Sequence, residues 1–180
     1  MKRALLLSTL IASSLFAQGY VQQANIATKD LLKTLGSNMK KEMKASGPLG
    51  ALTFCNINAE NLIQQVDDKY GKILSIKRIS LKPRNPKNKP SKDEKIILSS
   101  MQKMMQVGVK AKNVIQDKGD TIVVYKPLVI KKKACLICHG DMKNQKLANK
   151  IKSLYPKDKA THYKMGDLRG AIVVTLPKSK

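Results

Sequence analysis

The chain has 180 residues, 35 of them Lys or Arg against 12 Asp or Glu, for a formal net charge of +23. That length suits one domain with a single core, and a charge so positive invites a nucleic-acid reading. The lysines are spread along the whole chain and aromatics are only 4% of it, so nucleic acid is set aside as a partner. An acidic redox or signalling protein, or an anionic membrane surface, is the class of partner the charge suits.

Lys2 and Arg3 precede an apolar run from Ala4 to Phe16 that reaches the small residue Ala17, the order of a secretory signal peptide. The run is too short for a bilayer core, which takes roughly 20 apolar residues. The expected organisation is a signal peptide over 1–17 and one domain over 18–180, exported to the periplasm. An uncleaved anchor built from the same run would leave the domain facing outward as well. Loss of the segment removes two basic residues and no acid, so the surface stays strongly basic.

From Tyr20 to Lys44 apolar residues recur at helical spacing (Val21, Ala24, Leu31, Leu35, Met39), and Ser46-Gly47-Pro48 punctuates the end. A second helix is expected from Leu49 to Tyr70, with Leu52, Cys55, Ala59, Leu62, Ile63 and Val66 on one broad face that turns Cys55 inward, before Gly71 stops it. Lys72 to Leu81 reads as a strand. Lys82 to Pro90 holds three prolines and is neither helix nor central strand. Ser91-Lys92-Asp93-Glu94 has capping-box spacing, and Ile96 to Val107 continues as an amphipathic helix whose Met101, Met104 and Met105 suit a core better than an iron. Lys112 to Gln116 and Thr121 to Val129 flank Asp117-Lys118-Gly119-Asp120 as a β-hairpin. Asn144 to Leu154 has helical character, and Gly170 to Leu176 is a final strand. That order implies an α+β fold, a mostly antiparallel sheet with helices against it.

Cys135-Leu136-Ile137-Cys138-His139 is the c-type haem attachment pattern. Two thiols add to the haem vinyls while the adjacent imidazole of His139 reaches the iron, and Gly140 suits close approach of backbone to a macrocycle. The motif occurs once, so one haem c is expected. Competing uses are a redox dithiol, which needs a βαβ context and a helix beginning at the motif, and a zinc site completed by Cys55 or His162. The sixth iron ligand is open among Cys55, His162, Met142 and Met165. Two of the three cysteines hold the haem, which leaves Cys55 unpaired in an oxidising compartment. An inert buried thiol, a disulfide to another chain and a thiolate ligand are its possible uses. The motif lies too late for the common electron-carrier cytochromes, and a strand follows it, unlike the four-helix-bundle type.

Arg78-Ile79-Ser80-Leu81-Lys82-Pro83-Arg84-Asn85-Pro86 with Asn88, Cys135 to Gly140, Tyr155-Pro156-Lys157-Asp158-Lys159-Ala160, and Gly166-Asp167-Leu168-Arg169-Gly170-Ala171-Ile172 together resemble the exported mono-haem c-type cytochromes with a PAS-like fold, long catalogued as a domain of unknown function. The resemblance spans nearly all of the mature chain. It implies a PAS-like, mostly antiparallel sheet with long N-terminal helices packed against it and the haem. It also implies that the helix-borne Cys55, with Ala59 four residues on, is the distal ligand. Two positions depart from the family pattern: Glu60 stands where proline is expected, and His162 where glycine is expected, which keeps His162 as the alternative ligand. Arg84 and Asn85 are candidates either to order their loop or to meet the haem propionates. A redox or ligand-responsive haem module is the leading reading, a soluble carrier to an acidic redox partner the alternative, and catalysis, for which His162 is the obvious acid or base, the least expected.

Overall fold

The computed structural model of the protein describes residues 4–71 and 75–178, with side chains from Gln18 onward. Apart from a helical backbone beginning at Ala4, the expected signal peptide over 1–17 lies outside the described residues, as does 72–74 at the start of the expected first strand. Helix α1 (Ala4–Tyr70) is two arms joined at Gly47, whose φ of 64° and ψ of −168° break the helical path, with Pro48 opening the second arm. Proline at a first helical position loses no bond, and glycine tolerates the left-handed φ. The arms fold back on each other: Asp30 of the first accepts from Lys69 Nζ at 2.6 Å and from the Tyr70 hydroxyl at 3.2 Å of the second. Gly71, at φ 64°, ends the hairpin as expected.

Strands β1 (Ser75–Ile79), β2 (Val114–Asp117), β3 (Thr121–Val129) and β4 (Leu168–Pro177) form one sheet. Its order is β1-β4-β3-β2, with every neighbouring pair antiparallel. The first and last strands thus lie side by side. Pro127 is accommodated in β3 because β2 pairs only as far as Tyr125, so the missing N–H faces no partner strand.

Both faces of the sheet are covered, which explains why Ala171-Ile172-Val173-Val174 is continuously apolar rather than alternating. Ile122, Val124, Ile172, Val174 and Leu176 pack on Ala24, Ala27 and Leu31 of the first arm and Val66 of the second. Val123, Tyr125, Ala171 and Val173 turn to helix α2 (Lys92–Gln106) and meet Ile97, Leu98 and Met101. The expected capping box is present in both directions, Ser91 Oγ accepting from Glu94 N and Glu94 Oε2 accepting from Ser91 N. Of the methionine stripe, Met101 is core, while Met104 is 38% exposed. The proline-rich segment is ordered around a 3-10 turn (Pro86–Asn88).

Two short helices complete the fold. Helix α4 (Gln145–Leu154) is capped by Asn144, whose Oδ1 accepts from Leu147 N at 3.1 Å. Helix α3 (Lys133–His139) carries the cysteine motif, a segment in which the sequence reading placed no helix. It starts three residues after Ile130, just past a register irregularity between Leu128 and Val129 that re-aims the chain off the sheet.

Candidate functional site

The two motif cysteines sit on α3 at Cys135 and Cys138, both half-buried, with His139 closing the helix. Gly140 ends it by donating to Leu136 O at 2.9 Å. A Cβ there would lie 2.8 Å from that oxygen, so within this fold glycine is required by the last turn of α3 itself. His139 O accepts from Tyr163 N at 2.9 Å and Gly140 O from His162 N at 3.3 Å, which stitches the end of α3 to the loop before β4. The partly buried Cys135 and Leu136 pack on Ile130, Ala160 and Tyr163.

The His139 ring is fixed on one side only. Nδ1 lies 2.9 Å from Ala160 O, an acceptor, so Nδ1 carries the proton and Nε2 keeps its lone pair. Burial, seconded by the guanidiniums of Arg169 and Arg84, holds the imidazole pKa down to about 3 against the pull of the Ala160 bond. The ring is thus neutral at physiological pH and meets the edge of Tyr163 at 6.2 Å between centroids. Tyr163 in turn lies under two cations, Lys82 Nζ at 4.5 Å and Arg169 at 5.4 Å from its ring centroid.

Arg84, 8% exposed, ties these segments together. Its Nη2 donates to Cys138 O at 2.6 Å and Ala160 O at 3.2 Å, and stands 3.1 Å from Asp158 Oδ2, not aligned for a full hydrogen bond. Asp158 Oδ1 accepts from Ala160 N at 2.8 Å, Lys159 N donates to Pro83 O at 3.0 Å, and Lys82 Nζ donates to Thr161 O. Asn85 caps the 3-10 turn through Lys87 N at 3.0 Å and donates to Glu60 Oε1 at 3.4 Å. The side chains of Arg84 and Asn85 are both engaged inside the protein. Glu60, where the family pattern has proline, also faces Arg78 Nη2 at 3.8 Å.

Cys55 comes to this place from the second arm of α1. One turn before it, Leu52 packs with Leu147 and Ile151 of α4 beside the partly buried Cys138, Met142 and Tyr155. Burial pushes the Cys55 thiol above its usual range, opposed by the charges of Arg78 and Arg84. Burial does the same to Cys138, with Arg84 opposing and Cys55 adding to it. The two thiols therefore lie within electrostatic reach of each other and of one guanidinium.

The other ligand candidates are placed differently. Met142 is half-buried in the cluster of Leu52 and Cys138, and Met165 is 47% exposed. His162 is at the surface with Nδ1 2.6 Å from Asp141 Oδ1, both side chains about three-quarters exposed (74% and 76%). Its φ of 59° makes it the one non-glycine residue of positive φ among those described, a physical reason for glycine at this position. Left-handed backbone costs an L-residue roughly 1–2 kcal/mol, and an exposed pair contributes little. His162→Gly is therefore expected to raise stability by up to about 1 kcal/mol, after the greater chain entropy of glycine is subtracted. A urea midpoint below that of the parent chain would contradict this.

Arg78 and Arg169 received no role from the sequence, although both stand in the blocks that carry the resemblance. The available signal was charge inside apolar strands, since arginine is rarely buried without a partner. Among the described residues no group of three or more His, Cys, Asp or Glu is arranged to hold a metal ion unaided. The arrangement does fit a haem: two thiols one helical turn apart, an adjacent neutral imidazole with a free Nε2, and a third thiol, Cys55, within electrostatic reach of Cys138.

A model of the Tll0287-like family matches residues 12–177. Among solved structures, the crystal structure of the cyanobacterial heme-protein Tll0287 matches at a TM-score of 0.66 and 19% identity, over 90% of this chain and 97% of that one. At that identity the likeness is one of fold. No curated protein matches the chain.

Proposed function

The chain belongs to the Tll0287-like family, and on that premise we propose that it is a haem-binding protein of the c type, exported to the periplasm, in which one haem is held covalently by Cys135 and Cys138 and ligated by His139. The observation that carries the reading is the tautomer of His139. With Nδ1 bound to Ala160 O at 2.9 Å, Nε2 is the only ring position left for iron, and it stands next to two thiols on one helix. The relative's title calls it a heme-protein, which supports the cofactor. The signal-like N-terminus supports export.

A haem held here by Cys135, Cys138 and His139 would supply a one-electron couple. The chain supplies the rest. Arg84 and Asp158 hold the motif backbone at Cys138 O and the ring anchor at Ala160 O in one frame. The second arm of α1 brings Cys55, which we assign as the distal ligand. Burial favours its protonated form, so binding iron would require it to give up a proton, with the charges of Arg78 and Arg84 favouring the thiolate. A thiol whose proton affinity burial raises would be a ligand readily given up, which favours a redox or ligand-responsive module over catalysis. The carrier reading has its own support: Ile137, between the two cysteines, is 42% exposed, so one side of α3 is at the surface, where an acidic partner would meet a basic protein.

Optical and EPR spectra of the purified holoprotein, oxidised and reduced, with and without carbon monoxide, test this beside Cys55→Ala. A low-spin thiolate signature lost in the variant is expected, with carbon monoxide binding on reduction of the parent protein. A parent protein that stays six-coordinate when reduced would favour the carrier. An unchanged variant spectrum would remove Cys55 as ligand and turn attention to His162. Haem that separates from the chain on denaturation would sink the covalent assignment.

A further inference from the structure

Four cations gather here: Arg78, Arg84 and Arg169 act on the ring of His139, and Lys82 lies over the ring of its neighbour Tyr163. Only two carboxylates answer them among the described residues. Asp158 is matched to Arg84 at 3.1 Å. Glu60 stands 3.8 Å from Arg78, at the edge of ion-pair range, and is shared with Asn85. Arg169 has none: its Nη1 donates to Ser80 Oγ at 2.8 Å and Lys82 O at 3.4 Å, both neutral. Arg78 Nε is sealed from solvent without a hydrogen-bond partner. Burial lowers the pKa of both Arg78 and Arg169, a desolvation cost that Glu60, at 3.8 Å from Arg78, and the Tyr163 ring beneath Arg169 offset only in part.

Half-buried guanidiniums without a closely matched carboxylate carry a desolvation cost that a bound anion would offset. The excess is two positive charges, and the edge of a haem carries two carboxylates. Guanidinium is the side chain whose planar donors match a carboxylate. Both arginines are set on adjoining strands, Arg78 on β1 and Arg169 on β4, and the hydroxyl of the buried Ser80 locks Arg169: it accepts from Arg169 Nη1 and donates to Arg169 O at 2.8 Å.

Resting on the haem reading above, we propose that Arg169 and Arg78 form a dicationic cradle for the two haem propionates, while Arg84 serves the polypeptide. The test uses covalently loaded holoprotein. A cation beside a propionate stabilises the reduced haem, so Arg169→Gln and Arg78→Gln should each lower the midpoint potential and shift the propionate bending band in resonance Raman spectra. Arg169→Lys should restore both in large part, because it returns the charge but not the donor geometry. Lys40→Gln, an equal charge change on an exposed residue of α1, should leave both where they are. The cradle is overturned if the Gln variants match Lys40→Gln in potential and Raman band. It is also overturned if the Gln variants change only the bands that report spin state and axial ligation, which would place their effect at Cys55 or His139. A parent protein that carries no covalent haem would instead refute the functional reading itself.

Discussion

Arg84→Met will cost about 3–5 kcal/mol of stability, the range for breaking a buried pair from one side, out of the roughly 5–15 kcal/mol that holds a domain of this kind. Methionine replaces the aliphatic stem but none of the donors. The Asp158 side chain, 7% exposed, then keeps its charge with no cation beside it. Cys138 O and Ala160 O lose the donor that reaches them at 2.6 and 3.2 Å. Urea denaturation should show the midpoint falling with the slope unchanged. Adding Asp158→Asn should recover a large part of the loss, because asparagine still accepts from Ala160 N and brings no charge. A single variant within about 1 kcal/mol of the parent would mean that the guanidinium is not what joins α3 to the loop before β4.

Gly170→Ala is expected to be at least as damaging. A Cβ at this position would lie 2.2 Å from Ile79 O and 3.3 Å from Ile79 C and Ser80 Cα. All three are main-chain atoms, so no rotamer relieves the clash and the β1–β4 pairing has to open where Ile79 opposes Ala171. Such forced main-chain displacement belongs to the few mechanisms that cost more than about 4 kcal/mol. The neighbours are Arg169 and Ser80, so the damage extends to the site. Thermal melts followed by circular dichroism should show a large drop in Tm or no cooperative transition. An unchanged Tm would show that the strands are further apart than the register implies.

The elements read well from the sequence wherever the signal was local. The capping box at Ser91 and Glu94, the hairpin around Gly119 and the stop at Gly71 all depend on residues within four positions of one another. The joint at Gly47-Pro48 was also legible, but its consequence was not: that the two arms lie against each other rests on Asp30 meeting Lys69 and Tyr70, about forty positions away. Helix α3 was missed because its N-cap, Lys132, makes no side-chain cap bond; the loop that wraps it, from Ala160 to Tyr163, supplies the stabilisation. Gly140 was read as room for a macrocycle, whereas within the fold what a side chain there would meet is the carbonyl of Leu136.

By itself the sequence determined the attachment chemistry to be expected, the α+β class, and the blocks that mark the family, since each is written in adjacent residues. Only the tertiary structure decided which distant groups share one place. It set Cys55 within electrostatic reach of Cys138 and placed His162 at the surface against Asp141. It also drew Arg78, Arg84 and Arg169 from three segments around one imidazole. The physical reason is that charge, burial and hydrogen bonding act over a few ångströms of space, and it is the packing of both helical arms and the closing strand β4 that turns separation along the chain into proximity.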